Sequence, residues 1–270
     1  RHSITPFKLT FNVLQHQSEE FKEIAQENPA LYISLKDQFI PAMEYTYTYD
    51  NASGRRIKNP IWWQSTVTSA GNINSLIYRA FGKPFNEEDK SLLGAPFAQF
   101  VKLNTELRHL WNIDKNNAIA SRVAVGALFT YGNATIAPYS EQFYVGGANS
   151  IRAFTVRSVG PGGYHPEEGK YSYLDQTGTF RFEANVEYRF RIYKSIWGAT
   201  FLDAGNVWLM RKDRKLLADG KEARPNSQLR LKTFPKQIAL GTGVGIRYDM
   251  DILVFRLDFG IPLHLPYDTD

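Results

Sequence analysis

The residues best equipped for chemistry are thinly spread along this chain. Gly241-Thr-Gly-Val-Gly245 has the glycine density of a phosphate-cradling turn, but its glycines alternate within an apolar run instead of opening a helix, as a nucleotide loop must. They are read as leaving space on an inner wall for a neighbouring element. His165-Pro-Glu-Glu168 sets one imidazole beside two carboxylates in a loop, which reads as hydrated surface and not as a metal centre. There is no Gly-x-Ser-x-Gly elbow and no pair of histidines at metal-binding helical spacing. With 0 Cys, disulfide frameworks, thiolate metal sites and thiol nucleophiles are all excluded. A barrel-borne hydrolase would need a nucleophile, a base and an orienting group close together, and none of the 5 His makes a convincing Ser–His pair on an alternating strand. The expectation is a protein that is not an enzyme and that uses no cofactor and no metal. The net charge of +5 comes from 32 basic and 27 acidic residues mixed along the chain, without the clustered basic face of a nucleic-acid binder.

What dominates instead is period-two alternation with turn punctuation between the runs. From Phe180 to Ile192, Phe180, Phe182, Ala184, Val186, Tyr188, Phe190 and Ile192 fall on one face, opposite Arg181, Glu183, Asn185, Glu187, Arg189 and Arg191. Ile238–Tyr248 and Leu253–Leu263 repeat the theme, as do Val101–Arg108, Ile119–Tyr131 and Phe39–Tyr49; Thr5–Val13, Trp62–Ile77 and Ile196–Trp208 are weaker. Nine strands follow, at 4–14, 37–50, 61–78, 96–111, 117–131, 178–192, 195–209, 236–249 and 251–263. Ser18–Asn28, with Glu19 and Glu20 in a first turn and Phe21, Ile24 and Ala25 at helical spacing, reads as a short surface helix.

Runs of this length exceed the roughly five or six residues usual in soluble strands. Their polar faces carry charges of both signs, which would have to be buried or kept wet inside a soluble barrel. A transmembrane barrel satisfies both faces, with apolar residues toward lipid and charged ones toward an aqueous lumen. Aromatics make up 14% of the chain although its mean hydropathy is −0.36, as alternation demands. Trp62, Trp63, Tyr45, Tyr47, Tyr49, Trp208 and Tyr248 are assigned to interfacial belts. Residues 132–177 and 210–235 are long connections that fit the outer side, while tight joins near Tyr193–Lys194 and Asp249–Asp251 fit the periplasmic side. The fold class is therefore an all-β, antiparallel transmembrane barrel with long extracellular loops. Arg1-His2-Ser3-Ile4 carries no leader pattern, so the chain is expected to be mature or a piece of a longer protein.

Within the first long loop stands Tyr144-Val-Gly-Gly-Ala-Asn-Ser-Ile-Arg-Ala-Phe154. It resembles the loop signature of the BamA/TamA family of outer-membrane assembly barrels, in which a Gly-Gly pair (here Gly146 and Gly147) precedes a hydrophobic–Arg–small–aromatic tetrad. The tetrad here is Ile151, Arg152, Ala153 and Phe154, with Ala153 where Gly is usual. Asn185-Val-Glu187 and Phe201-Leu-Asp203-Ala-Gly205-Asn-Val-Trp208 follow in the family's order and spacing. The resemblance is clear over most of residues 95–263, and the phrasing of the loops is similar to that of Bacteroidota members. It implies a barrel of about sixteen strands, of which this chain would supply about nine as a C-terminal part spanning 1–270, without its final strand and without the periplasmic domains that precede such barrels. It also implies that residues 144–177 form a loop folded into the lumen, where Arg152 meets Glu187 and Asp203 on the wall and Phe201 and Gly205 support the contact. The implied location is the outer membrane of a Gram-negative cell. The implied partners are outer-membrane lipids, nascent outer-membrane barrel proteins, and accessory lipoproteins or an inner-membrane partner, with no nucleic acid. The implied activity is assembly or insertion, or polypeptide translocation, by strand augmentation at the barrel seam; the alternative is a passive, porin-like channel.

Overall fold

The computed structural model describes residues 1–12, 38–53, 57–87, 90–92, 94–133, 136–166, 172–211, 224–250 and 252–267. Nine long strands form one antiparallel sheet: β1 (His2–Asn12), β2 (Gln38–Asp50), β3 (Ile61–Ala70), β6 (Phe100–Asn112), β7 (Asn117–Thr130), β8 (Phe180–Tyr193), β9 (Ile196–Trp208), β10 (Ala239–Asp249) and β11 (Val254–His264). A two-residue hairpin, β4 (Ser91–Leu92) with β5 (Ala95–Pro96), stands apart. Neighbours in the sheet are neighbours in sequence, so every connection returns beside its own strand. Each of the nine strands has at least ten residues, which is the length a tilted strand needs to cross hydrocarbon, about 9–11 residues. Among the described residues β1 pairs only with β2 and β11 only with β10, so these two strands do not close the sheet on each other. No described helix is long and apolar enough to cross a membrane.

Connections alternate in length, as the sequence leads one to expect. β6–β7, β8–β9 and β10–β11 are joined by two to four residues at one end, with Lys194 taking the left-handed conformation (φ 43°) that lets a tight hairpin turn. β3–β6, β7–β8 and β9–β10 are joined by long segments at the other end. Alternation also sorts the faces. Val67, Leu103, Leu107, Val123, Phe129, Val186, Tyr188, Ile192, Leu202, Val244, Ile246, Leu257 and Phe259 are exposed on the convex side. On the concave side Ile40, Ala42, Ala70, Phe100, Leu128, Val207 and Ala239 are buried, packed against the inserted residues Phe143, Val145, Ile151, Phe154 and Val159. The apolar core is thus the contact between the inner wall and a loop, inside a sheet whose outside is apolar as well.

Three expectations need correction. The strand expected at 61–78 ends at Ala70, where Gly71 turns the chain at φ 69° and its N–H bonds to the Pro41 carbonyl; residues Asn72–Ala80 then form helix α1. Trp208 is fully buried, not interfacial: its ring stacks on Phe234 at 4.8 Å and its indole N–H donates to Gln237 Oε1 at 2.9 Å, both from the connection to β10. Trp62 is opposite Asp50 and Arg108 and faces inward, with the Arg108 guanidinium 4.9 Å from its ring; Trp63, one residue on, is the exposed member of the pair. Tyr45, Tyr49 and Tyr248 are exposed on the outer face as expected. The helix expected at Ser18–Asn28 lies outside the described residues, and so do Val13 and Leu14 at the end of the first expected strand.

Candidate functional site

The loop from Tyr144 to Phe154 reaches the inner wall through a tight backbone turn. Gly146 and Gly147 hold φ of 104° and 91°, and a Cβ on Gly146 would lie 2.0 Å from the Thr155 carbonyl oxygen, so both positions require glycine. Gly146 N–H donates to Ser150 Oγ and Gly147 N–H to the Phe154 carbonyl, closing the turn on itself. Ile151 and Phe154, both buried, anchor it in the core and aim the side chain between them at the sheet.

That side chain, Arg152, grips Asp203 of β9 with a two-pronged fork: Nε donates to Oδ2 at 2.8 Å and Nη2 to Oδ1 at 2.9 Å, and its own backbone N–H adds a third bond to Oδ2 at 3.0 Å. Nη1 donates to Glu187 of β8. The guanidinium carbon stands over the Phe201 ring, 3.5 Å from its centroid, so a cation–π contact adds to the hydrogen bonds that hold it. Asp203 is fully buried, and only 7% of the Arg152 and 8% of the Glu187 side chain is exposed. Charge-assisted bonds in such a setting are stronger than in water, and so is the penalty for leaving one partner alone. Asn185, also on β8, donates to Asp203 Oδ1 and to the Ser150 carbonyl, both at 2.8 Å, tying loop and wall a second time.

Further charges complete the cluster. Arg247 of β10 donates to Glu187 at 2.9 Å and to Asp258 of β11 at 2.5 Å. Arg189 holds the other Glu187 oxygen at 2.7 Å, and Arg256 bonds Asp258 at 3.2 Å while reaching the loop at Asn149 Oδ1, 3.0 Å away. Four cations therefore share three carboxylates across β8, β9, β10, β11 and the loop. Sequence reasoning named Arg152, Glu187 and Asp203 but not Arg247, Arg256 or Asp258. Their signal was parity alone: each sits on the polar side of an alternating run, with no motif to mark it.

The remaining named residues fall around this centre. Ala153 rests on glycines of the last two strands: a Cβ on Gly241 would come within 2.5 Å of its own Cβ, and one on Gly260 within 3.0 Å of its Cα. The wall has been thinned where the loop touches it. Gly243 performs the same service for Phe201, whose Cζ would be 2.5 Å from an added Cβ. Gly205 lies outside the Arg152 contact; a Cβ there would meet the Phe182 carbonyl and Glu183, so it supports strand packing instead. His165 stacks on Tyr267, 3.9 Å between centroids, and no group of three or more metal-binding side chains occurs among the described residues. On the short-turn side of the loop lies a cavity of about 670 Å³, lined by Trp62, Arg108, Arg122, Asn149, Arg152, Glu187 and others. A second charged group, Arg122 between Glu106 and Glu183, stands on its wall.

With this geometry in place, comparison with known proteins is informative. A family model described as the Omp85 superfamily domain matches residues 82–270, well over half of the chain. Among solved structures, the chain is similar to BamA from Haemophilus ducreyi lacking POTRA domains 1-3, at TM-score 0.60 and 13% identity over 88% of this chain and 44% of that one. It is also similar to CdiB from Escherichia coli, at TM-score 0.52 and 14% identity over 85% of this chain and 34% of that one. The chain thus spans less than half the length of either structure, and the likeness to them is one of fold.

Proposed function

The chain belongs to the Omp85 superfamily, and from that premise we propose that it forms the outer-membrane barrel of a factor that inserts or translocates other proteins. One observation carries this reading: a loop is fastened inside the lumen by Arg152 to Asp203 and Glu187, on glycine-thinned strands. A pore that only passes small solutes does not require a buried guanidinium locking an internal loop to β8 and β9. In the proposed mechanism no covalent bond changes and no cofactor takes part. The locked loop holds β8–β11 as a unit, and an incoming strand pairs by β-augmentation at the seam of the barrel, exchanging backbone hydrogen bonds. Its partners would be outer-membrane lipids, nascent barrel proteins, and accessory lipoproteins or an inner-membrane partner; its location would be the outer membrane of a Gram-negative cell.

The cavity of about 670 Å³ beside the loop favours a second reading, a passive channel. Reconstitution separates the two. Vesicles carrying the protein should accelerate the folding of an unfolded outer-membrane barrel relative to empty vesicles, and planar bilayers should show little steady conductance. Large stable conductance without any acceleration of folding would overturn the insertion reading in favour of the channel.

A further inference from the structure

Helix α1 is built inside out. In a water-soluble protein the apolar stripe of a surface helix faces the core and the polar face meets solvent. Here the polar side chains make the contacts with the protein. Asn72 Nδ2 donates to Ser69 Oγ at 2.8 Å, and Tyr131 donates to Asn72 Oδ1 at 2.9 Å. Ser75 is fully buried and accepts from the ammonium of buried Lys90 at 3.0 Å, and Tyr78 donates to the Ser91 carbonyl. Ile73, Leu76 and Ile77, at 50%, 56% and 52% exposure, point away from the protein, and Phe81, just past the helix, is 84% exposed. Four large apolar side chains on one stripe are not scattered surface residues, and they call for an apolar neighbour.

The place of the helix identifies that neighbour. By register, Met43, Ser69, Val101 and Phe129 form a row across β2, β3, β6 and β7, on the convex face of the sheet and at its long-connection end. Met43 and Phe129 are exposed there. α1 begins three residues after Ser69 and is fastened to it, and to Tyr131 two residues beyond Phe129. Its apolar stripe therefore continues the lipid-facing wall at the rim of the barrel. Exposed Arg79 follows the stripe in the last turn, and exposed Lys83, its ammonium 5.6 Å from the Tyr78 ring, lies just beyond the helix, both within reach of lipid phosphate at the rim.

We propose that α1 is an interfacial membrane helix, seated in the leaflet at the long-connection end with Ile73, Leu76, Ile77 and Phe81 among acyl chains and Arg79 and Lys83 at phosphates. The assignment rests on the membrane-barrel fold, not on the insertion activity. Because the chain has no cysteine, single spin labels can be placed cleanly by Leu76→Cys in α1, Leu103→Cys on the outer wall and Lys115→Cys in the β6–β7 turn. Each labelled protein is folded into vesicles of phosphatidylcholine with phosphatidylglycerol, and its relaxation by oxygen is compared with that by a water-soluble nickel chelate. The Leu76 label should resemble the Leu103 label, favouring oxygen, and differ from the Lys115 label. A Leu76 label as open to the chelate as Lys115 would place α1 in water and overturn the proposal. Protection from both agents would also overturn it, in favour of a protein cover such as a second copy. A water-like Leu103 label would instead refute the membrane barrel itself.

Discussion

Arg152→Ala removes the one side chain that joins the lumenal loop to two strands at once, and the structure allows the loss to be apportioned. Glu187 keeps Arg189 and Arg247, so its charge stays compensated. Asp203 does not fare as well: it retains Asn185 and the backbone N–H of residue 152 but loses the one cation it pairs with among the described residues, while fully buried. Removing one partner of a buried ion pair costs about 3–5 kcal/mol, and the residual bonds to Asp203 put this case at the lower end, about 3 kcal/mol. Since about 1.4 kcal/mol is a tenfold change, the ratio of docked to released loop should fall roughly 150-fold. Limited proteolysis within residues 144–166 of the folded protein, at protease concentrations low enough that loop opening remains in equilibrium, reads that ratio directly. Arg152→Lys should recover part of the charge but not the fork, and so remain well below wild type. In a double-mutant cycle with Asp203→Ala, the second substitution should cost far less once Arg152 is gone. A change in loop release below roughly threefold for Arg152→Ala, about 0.7 kcal/mol, would refute the idea that this contact holds the loop.

Other outcomes follow from the same geometry. Gly241→Val should displace Ala153 and loosen the loop by about 1–3 kcal/mol of overpacking, and Ala153→Gly should restore part of the loss; equal proteolysis rates for Gly241→Val and wild type would contradict the close contact. Trp208→Ala should lower barrel stability by about 3–5 kcal/mol, measured by urea unfolding in detergent, because its ring is a buried stacking partner of Phe234 and not a belt residue. Asp114, in the β6–β7 turn, has its carboxyl held below the ordinary value by the Asn116 N–H and the Asn117 side chain. Its ordering of the turn is therefore fully present above the usual carboxylate pKa and lost as pH falls through the lower folded value, which amide exchange at Asn116 and Asn117 across that acidic range should show.

Much of this architecture was legible because lipid outside and charge inside impose the strictest form of alternation on every strand. The loop resemblance put Glu187 and Asp203 on the inner wall and parity agreed, and the glycines of β10 were readable as space for a neighbour because they alternate along one face of the strand. The errors differ in cause, and for Trp208 it is that alternation reports which face a residue occupies but not what lies on that face. Trp208 has the outward parity of Leu202, yet Phe234 covers it. Trp62 and Trp63 are both aromatic, so composition could not say which of the two points to lipid. Residues 71–78 kept an apolar pattern that a strand or a helix could satisfy, with Ile73 and Ile77 an even number apart but also one helical turn apart, and only the left-handed Gly71 decided it. Arg247 and Asp258 were visible as inward-facing, but their partnership with Glu187 is three-dimensional and leaves no spacing in the sequence.

The shared cluster also makes strand register self-checking. In the observed pairing Gly241 is opposite Asp203 and Pro262, and Arg247 is opposite Trp197 and Arg256. If β10 slipped by one residue, its two faces would exchange: Arg247, two residues from the β10–β11 turn, would turn outward at the membrane boundary, where a cation costs only about 0–1 kcal/mol, and Leu240 or Thr242 would push into the space that Ala153 fills. Glu187 and Asp258 would lose a shared cation at the same moment. Arg152 bonds Glu187 of β8 and Asp203 of β9, and Arg247 of β10 links Glu187 to Asp258 of β11, so the whole cluster closes only when β8 to β11 are all in register. The loop is thus latched in full only on a correctly aligned wall.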